Sequence, residues 1–559
     1  MMPRFSPASL VCLATLAFAA SASASVNVSS IGYLPDGPKV ATALAPTAAT
    51  FELKRQADDS VVLSGELKMI GTDGTADFSE ITAPGTYYLA VGTERSIPFD
   101  ITGHATFEPL RTAMLGFYAW RASTALTYEY AGVTYTQEPG HTTPAKLDFV
   151  GEPGGTKDVN GGWYDAGDYG RYVVNGAFTA GTMLRAWEDH KAHLENVALQ
   201  VPEAGGALPD FLDEVKYQLD WLMKMTFADG SASHKVTPIN FDPFVRPQYA
   251  SANYYLAPAG SPATADLVAV LAQASRVYEP YDAAYAAQLL AAAQASWAWL
   301  VANPSPVFPD QSAFANAQYG DTSDADERAW AAAEMWETTG DASALASFES
   351  RIQGMSPMVR QDFDWQQVAN MAVFTYLRSA REGRTQAVVD SLNTAVKQQA
   401  AALADMAAVD LYGRGLTSYN WGSNGAVARS CLLMAMADQV QPDPKWSKGC
   451  FLHLGYLFGR NPFNRSFVTG IGIDPPQNPH DRRSASDGVP GAIPGYLVGG
   501  PNGGPTSWLD EQNDYRSNEI AINWNAPLVY ALAQFAEDVD DVPPGGGTGG
   551  SAGAAGAAG

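Results

Sequence analysis

LPDFLDEVKYQLDWL, residues 208–222, carries apolar side chains at Leu208, Phe211, Leu212, Val215, Leu219 and Leu222. Steps of three and four place all six on one face of an α-helix. The same spacing recurs in residues 266–277, 285–301, 326–338 and 368–380. About twelve such segments follow one another up to Ala536, with Gly/Pro/Asn-rich loops between some of them. Twelve amphipathic helices without intervening strands point to a barrel of paired helices, although periodicity alone does not select it over another large α-fold.

The pattern changes upstream. Residues 26–103 contain short β-branched and aromatic runs, Val61-Val62-Leu63, Tyr87-Tyr88-Leu89 and Ile97-Pro98-Phe99-Asp100-Ile101. Turn residues such as Asp73-Gly74 and Ala83-Pro84-Gly85 separate them. Short strands at this spacing predict a small β-sandwich. The expected division is a signal peptide at 1–24, a β-module at 25–104, a helical domain at 105–540 and a Gly/Ala-rich tail at 541–559. Arg4, the apolar residues 10–20 and Ala22-Ser23-Ala24 have the layout of a secretory signal. The apolar run is too short to span a bilayer, so a secreted or periplasmic protein is expected, with no membrane contact after cleavage. The tail, GGGTGGSAGAAGAAG after Pro543-Pro544, has too little apolar surface to form a core.

The chain has 59 acidic and 34 basic side chains, a formal net charge of -25. Nucleic-acid binding needs a basic stripe, and this sequence has none. A neutral polymer meets no such obstacle. Of three cysteines, Cys12 lies in the signal. Cys431 and Cys450 flank the turn around Gln441-Pro442-Asp443-Pro444 at similar distances. A disulfide between antiparallel helices and a pair of buried thiols both fit that placement.

Three stretches concentrate chemistry. GGWYDAGDYGRY sets Asp165 and Asp168 three residues apart in a glycine-rich turn before an apolar helix. Such a pair can hold a water, one carboxylate acting as general base; helix capping or calcium binding would use the same residues. WLDEQNDYRSNEIAINWNAPLVYALA offers Glu519 at the start of an apolar helix, where Ile520, Ile522 and Trp524 would desolvate it and raise its pKa. GRNPFNRSFVTGIGIDPPQNPHDRRS places His480 and Arg482 two apart, both able to face a cleft. A metal at His480-Asp481 would lack a second histidine or cysteine at ligand spacing.

Together these stretches resemble the signatures of glycoside hydrolase family 9. Trp508, Asp510, Tyr515 and Glu519 match one; Ser466, Val468, Thr469, Gly472, His480 and Arg482 match another; the DAGD motif is intact. VNVSSIGYLPDGPKVAT resembles the start of the immunoglobulin-like module that precedes many such domains. The resemblance implies an (α/α)6 barrel behind an immunoglobulin-like β-sandwich. It also implies a secreted, monomeric cellulase acting on β-1,4-glucans with inversion, most simply an endoglucanase (EC 3.2.1.4). Asp168 would be the base, Asp165 its partner on the water and Glu519 the acid, with base and acid about 6.5–9.5 Å apart. His480 and Arg482 would bind sugar, and Trp365, Tyr419, Trp421, Trp524 and Trp163 are candidate stacking platforms.

Several departures qualify this. GHTTPAKLDF has only His141 where relatives hold zinc, so zinc is not expected. No cofactor is required, and a structural calcium is allowed although SPATADLVAV shows no evident acidic pattern. Asp474 stands where the signature prefers a basic or amide residue, and Asp481 where many cellulases have a second histidine. The latter, with the long loop 488–505, opens an alternative: an exo-acting cellodextrinase, β-glucosidase or glucosaminidase. An alternative of another class is a non-catalytic carbohydrate-binding or scaffold protein.

Overall fold

The computed structural model describes residues 25–537. The expected signal peptide, Cys12 and the Gly/Ala tail lie outside them. Nine strands form the N-terminal module: β1 (Ser25–Asn27), β2 (Val40–Leu44), β3 (Thr50–Arg55), β4 (Val61–Glu66), β5 (Lys68–Ile70), β6 (Asp73–Asp77), β7 (Gly85–Val91), β8 (Glu94–Arg95) and β9 (Phe99–Ile101). They make two antiparallel sheets, β1-β2-β6-β5 and β4-β3-β7-β8, with β9 also on β7. Inward residues such as Leu53, Phe78 and Leu89 are fully buried between them. The module is bonded to the helical domain: the Asn27 side chain donates to the Asn461 carbonyl at 2.9 Å, and Thr42 to that of Leu411 at 2.6 Å.

Helices α1 (Phe107–Trp120), α2 (Val173–Leu194), α3 (Asp210–Lys224), α4 (Ser261–Tyr278), α5 (Ala283–Ala302), α6 (Ala325–Thr339), α7 (Ala342–Gln353), α8 (Ala369–Arg378), α9 (Gln386–Val409), α10 (Ser423–Val440), α11 (Pro444–Leu457), the single turn α12 (Tyr515–Asn518) and α13 (Ile522–Ala533) follow. Contacts run α2–α4–α6–α8, and α10–α13–α2 closes the inner ring, with α9 bridging α8 and α10. Five of the six inner helices carry an outer partner, α3 on α2, α5 on α4, α7 on α6, α11 on α10 and α1 on α13, and α9 lies against α8, α10 and α11. This is an (α/α)6 barrel. The burial patterns explain the two rings. Residues 261–275 of α4 are buried without a break, as an inner helix requires, whereas α3 buries one side, the face predicted from its spacing widened by Glu214, Gln218 and Trp221. Cys431 and Cys450 form a disulfide between α10 and α11, their Cα atoms 4.9 Å apart.

The expectation of helices without intervening strands is corrected. A hairpin of β10 (Leu126–Tyr130) and β11 (Val133–Gln137) follows α1. The loops between helices also form a sheet of β12 (Ala145–Lys146), β13 (Thr156–Lys157), β14 (Arg171–Tyr172), β15 (Lys235–Thr237) and β16 (Tyr255–Leu256), in the order β13-β12-β16-β15-β14. Strands of two or three residues are too short to show an alternating pattern in sequence.

Candidate active site

The DAGD turn leads directly into β14, and α2 begins only at Val173 with no side-chain cap. Asp165 and Asp168 are therefore not helix caps. Backbone bonds stitch the turn to two distant segments. Ala166 bridges to Ala521, Ile522 N–H donates to the Asp165 carbonyl at 3.0 Å, and Arg482 N–H donates to the Gly167 carbonyl at 3.0 Å. His480 and Glu519 face each other in a parallel bridge. A Cβ on Gly167 would fall 1.8 Å from the His480 carbonyl oxygen, so only glycine permits this approach.

Glu519 is not at the start of a helix, as the sequence reading had it. It is an extended residue between α12 and α13, at φ -71° and ψ 159°. The bridges to His480 and, through Ile520, to Val498 hold it there. Glu519 therefore has no place in a helical first turn, where the helix dipole would stabilise its charge. Burial, then the charges of Asp168 and Asp165, push its carboxyl well above the usual glutamate range; Arg482 and the Gly167 amide oppose the rise.

Asp165 is 2% exposed. Its Oδ1 accepts from Asn175 Nδ2 at 2.6 Å and its Oδ2 from the Tyr319 hydroxyl at 2.6 Å. Burial, then the charge of Asp168, push Asp165 up to about 8 despite these donors. Asp168 accepts only from the Gly170 amide, at 2.9 Å. Two neighbouring carboxyls therefore have separate environments: Asp165 with a donor on each oxygen and favouring the proton, Asp168 with a single donor and more acceptor capacity to spare. Tyr319 and Asn175 were missed in the sequence. Neither stands near Asp165 in a motif, and only the folded chain brings them there.

His480 donates from Nδ1 to the Gln512 carbonyl at 2.7 Å, which leaves Nε2 as an acceptor, and burial lowers its pKa. Arg482 donates to the carbonyls of Asp242 at 2.7 Å and Gly167 at 2.9 Å, and its guanidinium lies 5.0 Å over Phe244. Asp481 points the other way. It is fully buried and pairs with Arg483 at 2.8 Å, while Ser484 donates to its second oxygen at 2.7 Å. The supposed bearing of Asp481 on the sugar subsites is thus corrected: alternation along the chain turns it into the core. Loop 488–505 is corrected too. Residues 493–501 are buried, and Leu497 and Gly499 bond to Asn525 and Glu519. That stretch packs behind the acid instead of closing the cleft. The basic-to-acidic departure at Asp474 is met locally by an ion pair with Arg465 at 2.8 Å.

Aromatic side chains flank the acids in two files. On one, Trp365 meets Tyr319 edge-on at 4.7 Å, and Tyr319 meets Tyr172 at 4.6 Å. A recess of about 350 Å³ adjoins this file, lined also by His234 and Phe308. On the other, Trp421 (54% exposed) meets Tyr515, which lies 6.0 Å from His480. Tyr419 is half-buried beside Arg414. Trp524 and Trp163 are not open platforms. Trp524 is pressed against Gly422 and Gly425, and Trp163 donates to buried Glu214 at 2.8 Å and packs on Phe117.

His141 is enclosed by the rings of Tyr164, Tyr169 and Tyr254, and burial lowers it to about 3. For calcium, one acidic group stands out. Asp266 on α4 and Glu327 on α6 are buried with no hydrogen-bond partner on either carboxylate oxygen, beside Asp321 and Asp326. Among the described residues no three acidic, histidine or cysteine side chains surround a metal-sized point. A calcium ion there would need carbonyls and water to complete its shell. No helix of the described residues is long and apolar enough to cross a membrane.

Comparison with known proteins bears on this geometry. The family model described as glycosyl hydrolase family 9 matches residues 107–532, and that of the cellulase N-terminal ig-like domain matches 21–96. Endoglucanase D of Acetivibrio thermocellus is 44% identical over 520 residues, 91% of this chain and 83% of that protein. A cellodextrinase of Butyrivibrio fibrisolvens is 32% identical, over 92% of this chain and all of the other. The crystal structure of a metagenome-derived family 9 endoglucanase superposes with a TM-score of 0.85 at 32% identity, covering 92% of this chain and 99% of that one.

Proposed function

Because this chain belongs to glycosyl hydrolase family 9, we propose that it cuts internal β-1,4-glucosidic bonds of cellulose-like or mixed-linkage glucans with inversion. One observation carries the reading: a half-buried glutamate that favours its proton and a two-aspartate pair are stitched into one wall by direct backbone bridges.

Asp168 and Asp165 hold a water between them, and Asp168 takes its proton as the oxygen attacks the anomeric carbon. Asp165, already favouring a proton, leaves the negative charge on Asp168. The C–O bond to the leaving sugar breaks, and Glu519 gives that oxygen its proton. His480 accepts from sugar hydroxyls through Nε2. Arg482 clamps the DAGD turn and tempers the charge around Glu519. Trp365, Trp421, Tyr419 and Tyr515 offer faces for glucose rings. Side chains and water suffice for these steps, and no cofactor is required.

Endo action is favoured over exo because Asp481 and the 493–501 part of the loop, two features that suggested a blocked cleft, face the interior. Loss of carboxymethylcellulose viscosity, with Glu519→Gln as control, tests the reading. A steep early fall for the native enzyme alone supports it; equal activity in the variant removes Glu519 as the acid. We also propose secretion, which the Cys431–Cys450 disulfide supports, since such bonds persist in oxidising compartments. A structural calcium is proposed for the acidic group, with Asp266 and Glu327 as its anionic ligands.

A further inference from the structure

Lys235 is fully buried near the acids, and the mechanism above leaves it without a task. It lies on β15, directly across the ladder from Tyr172 of β14. Its ammonium donates to Asn316 Oδ1 at 3.0 Å and to the Ala317 carbonyl at 2.7 Å. The ring of its neighbour His234 bonds the Gln318 carbonyl at 2.7 Å. Lys235 and the residue just before the strand thus grip three successive residues of a loop. The next residue is Tyr319, whose φ of 45° lies in the left-handed region that an aromatic residue seldom adopts. Such a conformation persists only where its surroundings hold it. What it achieves is delivery of the Tyr319 hydroxyl to Asp165.

The ammonium also lies 4.7 Å over the Phe314 ring and 5.6 Å from that of Tyr172, which in turn packs on Tyr319. The titratable groups around it are Asp168 from the DAGD turn, Tyr172 from β14 and His234, the residue just before its own strand. Burial lowers His234 to about 4, which leaves its ring neutral. Asp168 is the one opposite charge that favours the ammonium, against a burial that lowers Lys235 to about 7.

We propose that Lys235 is a positioning residue of the hydrolytic site: its grip on Asn316 and Ala317 holds Tyr319 in the backbone conformation that donates to Asp165, and its charge balances Asp168. The proposal rests on the hydrolytic reading above. It is tested with Lys235→Met, Tyr319→Phe and the double variant, each assayed for kcat, KM and the pH profile on cellopentaose. Lys235→Met should lower kcat about 10- to 100-fold, as misplacement of a reacting group does. Its KM should stay within about threefold, because the loss falls on the reacting step and not on sugar binding. The acid limb of kcat/KM should move to higher pH, because the carboxylate pair loses its nearby cation. The double variant should be no slower than the slower single one, since both changes break the same chain of contacts. Additive losses, a native kcat or a loss confined to KM would overturn the role. Should Lys235→Met fail to fold, Asn316→Ala removes one of the two grips. Its smaller loss should vanish in the Tyr319→Phe background, and persistence there would overturn the proposal. Failure of the hydrolytic reading looks different: Asp168→Asn and Glu519→Gln would then turn over at the native rate.

Discussion

His480 and Glu519 pair in a parallel β-bridge, with His480 N–H donating to the carbonyl of Asn518 at 2.8 Å. The bond fixes His480 and Glu519, the proposed sugar-binding residue and proton donor, to each other through backbone, with no flexible side chain between them. Ala166 bridges to Ala521 in the same way, so the aspartate turn joins the same unit. A site built on such ties holds its geometry without substrate.

Glu519→Gln should lower kcat on cello-oligosaccharides about 10²- to 10⁴-fold, the range for loss of a general acid. An activated aryl cellobioside, whose leaving group needs no proton, should lose far less. Steady-state rates on the two substrates check this, and equal losses would assign Glu519 a role other than proton donor.

Gly167→Ala should abolish activity and destabilise the fold by about 1–3 kcal/mol, the usual cost of overpacking. The new methyl would meet the His480 carbonyl, which is backbone and cannot rotate away. Thermal unfolding and activity on barley glucan report both effects. A native melting temperature would mean that the stitch is loose.

Asp481→Ala should cost about 3–5 kcal/mol by leaving the Arg483 guanidinium buried without its opposite charge. The folded fraction at low temperature should give native products from cellohexaose. A shift towards release of single terminal sugars would return Asp481 to the cleft.

The group around Asp266 and Glu327 makes stability depend on pH. Burial and mutual repulsion raise both carboxyls well above the usual range. Protonated, they are tolerated below the ordinary carboxylate pKa; their stabilising contribution is lost as pH rises towards the raised values. In EDTA the melting temperature should therefore fall between about pH 5 and pH 8, and millimolar calcium should restore it at pH 8. Scanning calorimetry decides, and a melting temperature unmoved by calcium at pH 8 would remove the calcium proposal.

Much of the barrel was legible because inner and outer helices bury different numbers of faces, and α3 shows its single face in plain spacing. The module was legible through runs such as Tyr87-Tyr88-Leu89, which fall on β7. Strands β12 to β16 were not, being too short to carry a period. In the candidate site, Asp165, Asp168 and Glu519 stand in motifs, whereas Tyr319 and Lys235 do not. Their importance comes from a left-handed turn and a cross-strand neighbour, both set by tertiary contacts. Trp524 misled for a related reason. Sequence shows an aromatic near a motif but not the glycines Gly422 and Gly425 that let it sink into the core.

The central claim is an inverting hydrolysis by Asp168 and Asp165 with Glu519 as acid. Proton NMR of cellohexaose during the first turnovers tests it most directly, because it reads the anomer before mutarotation. The account predicts that the new reducing end appears first as the α-anomer. A new end that appears first as the β-anomer would contradict it.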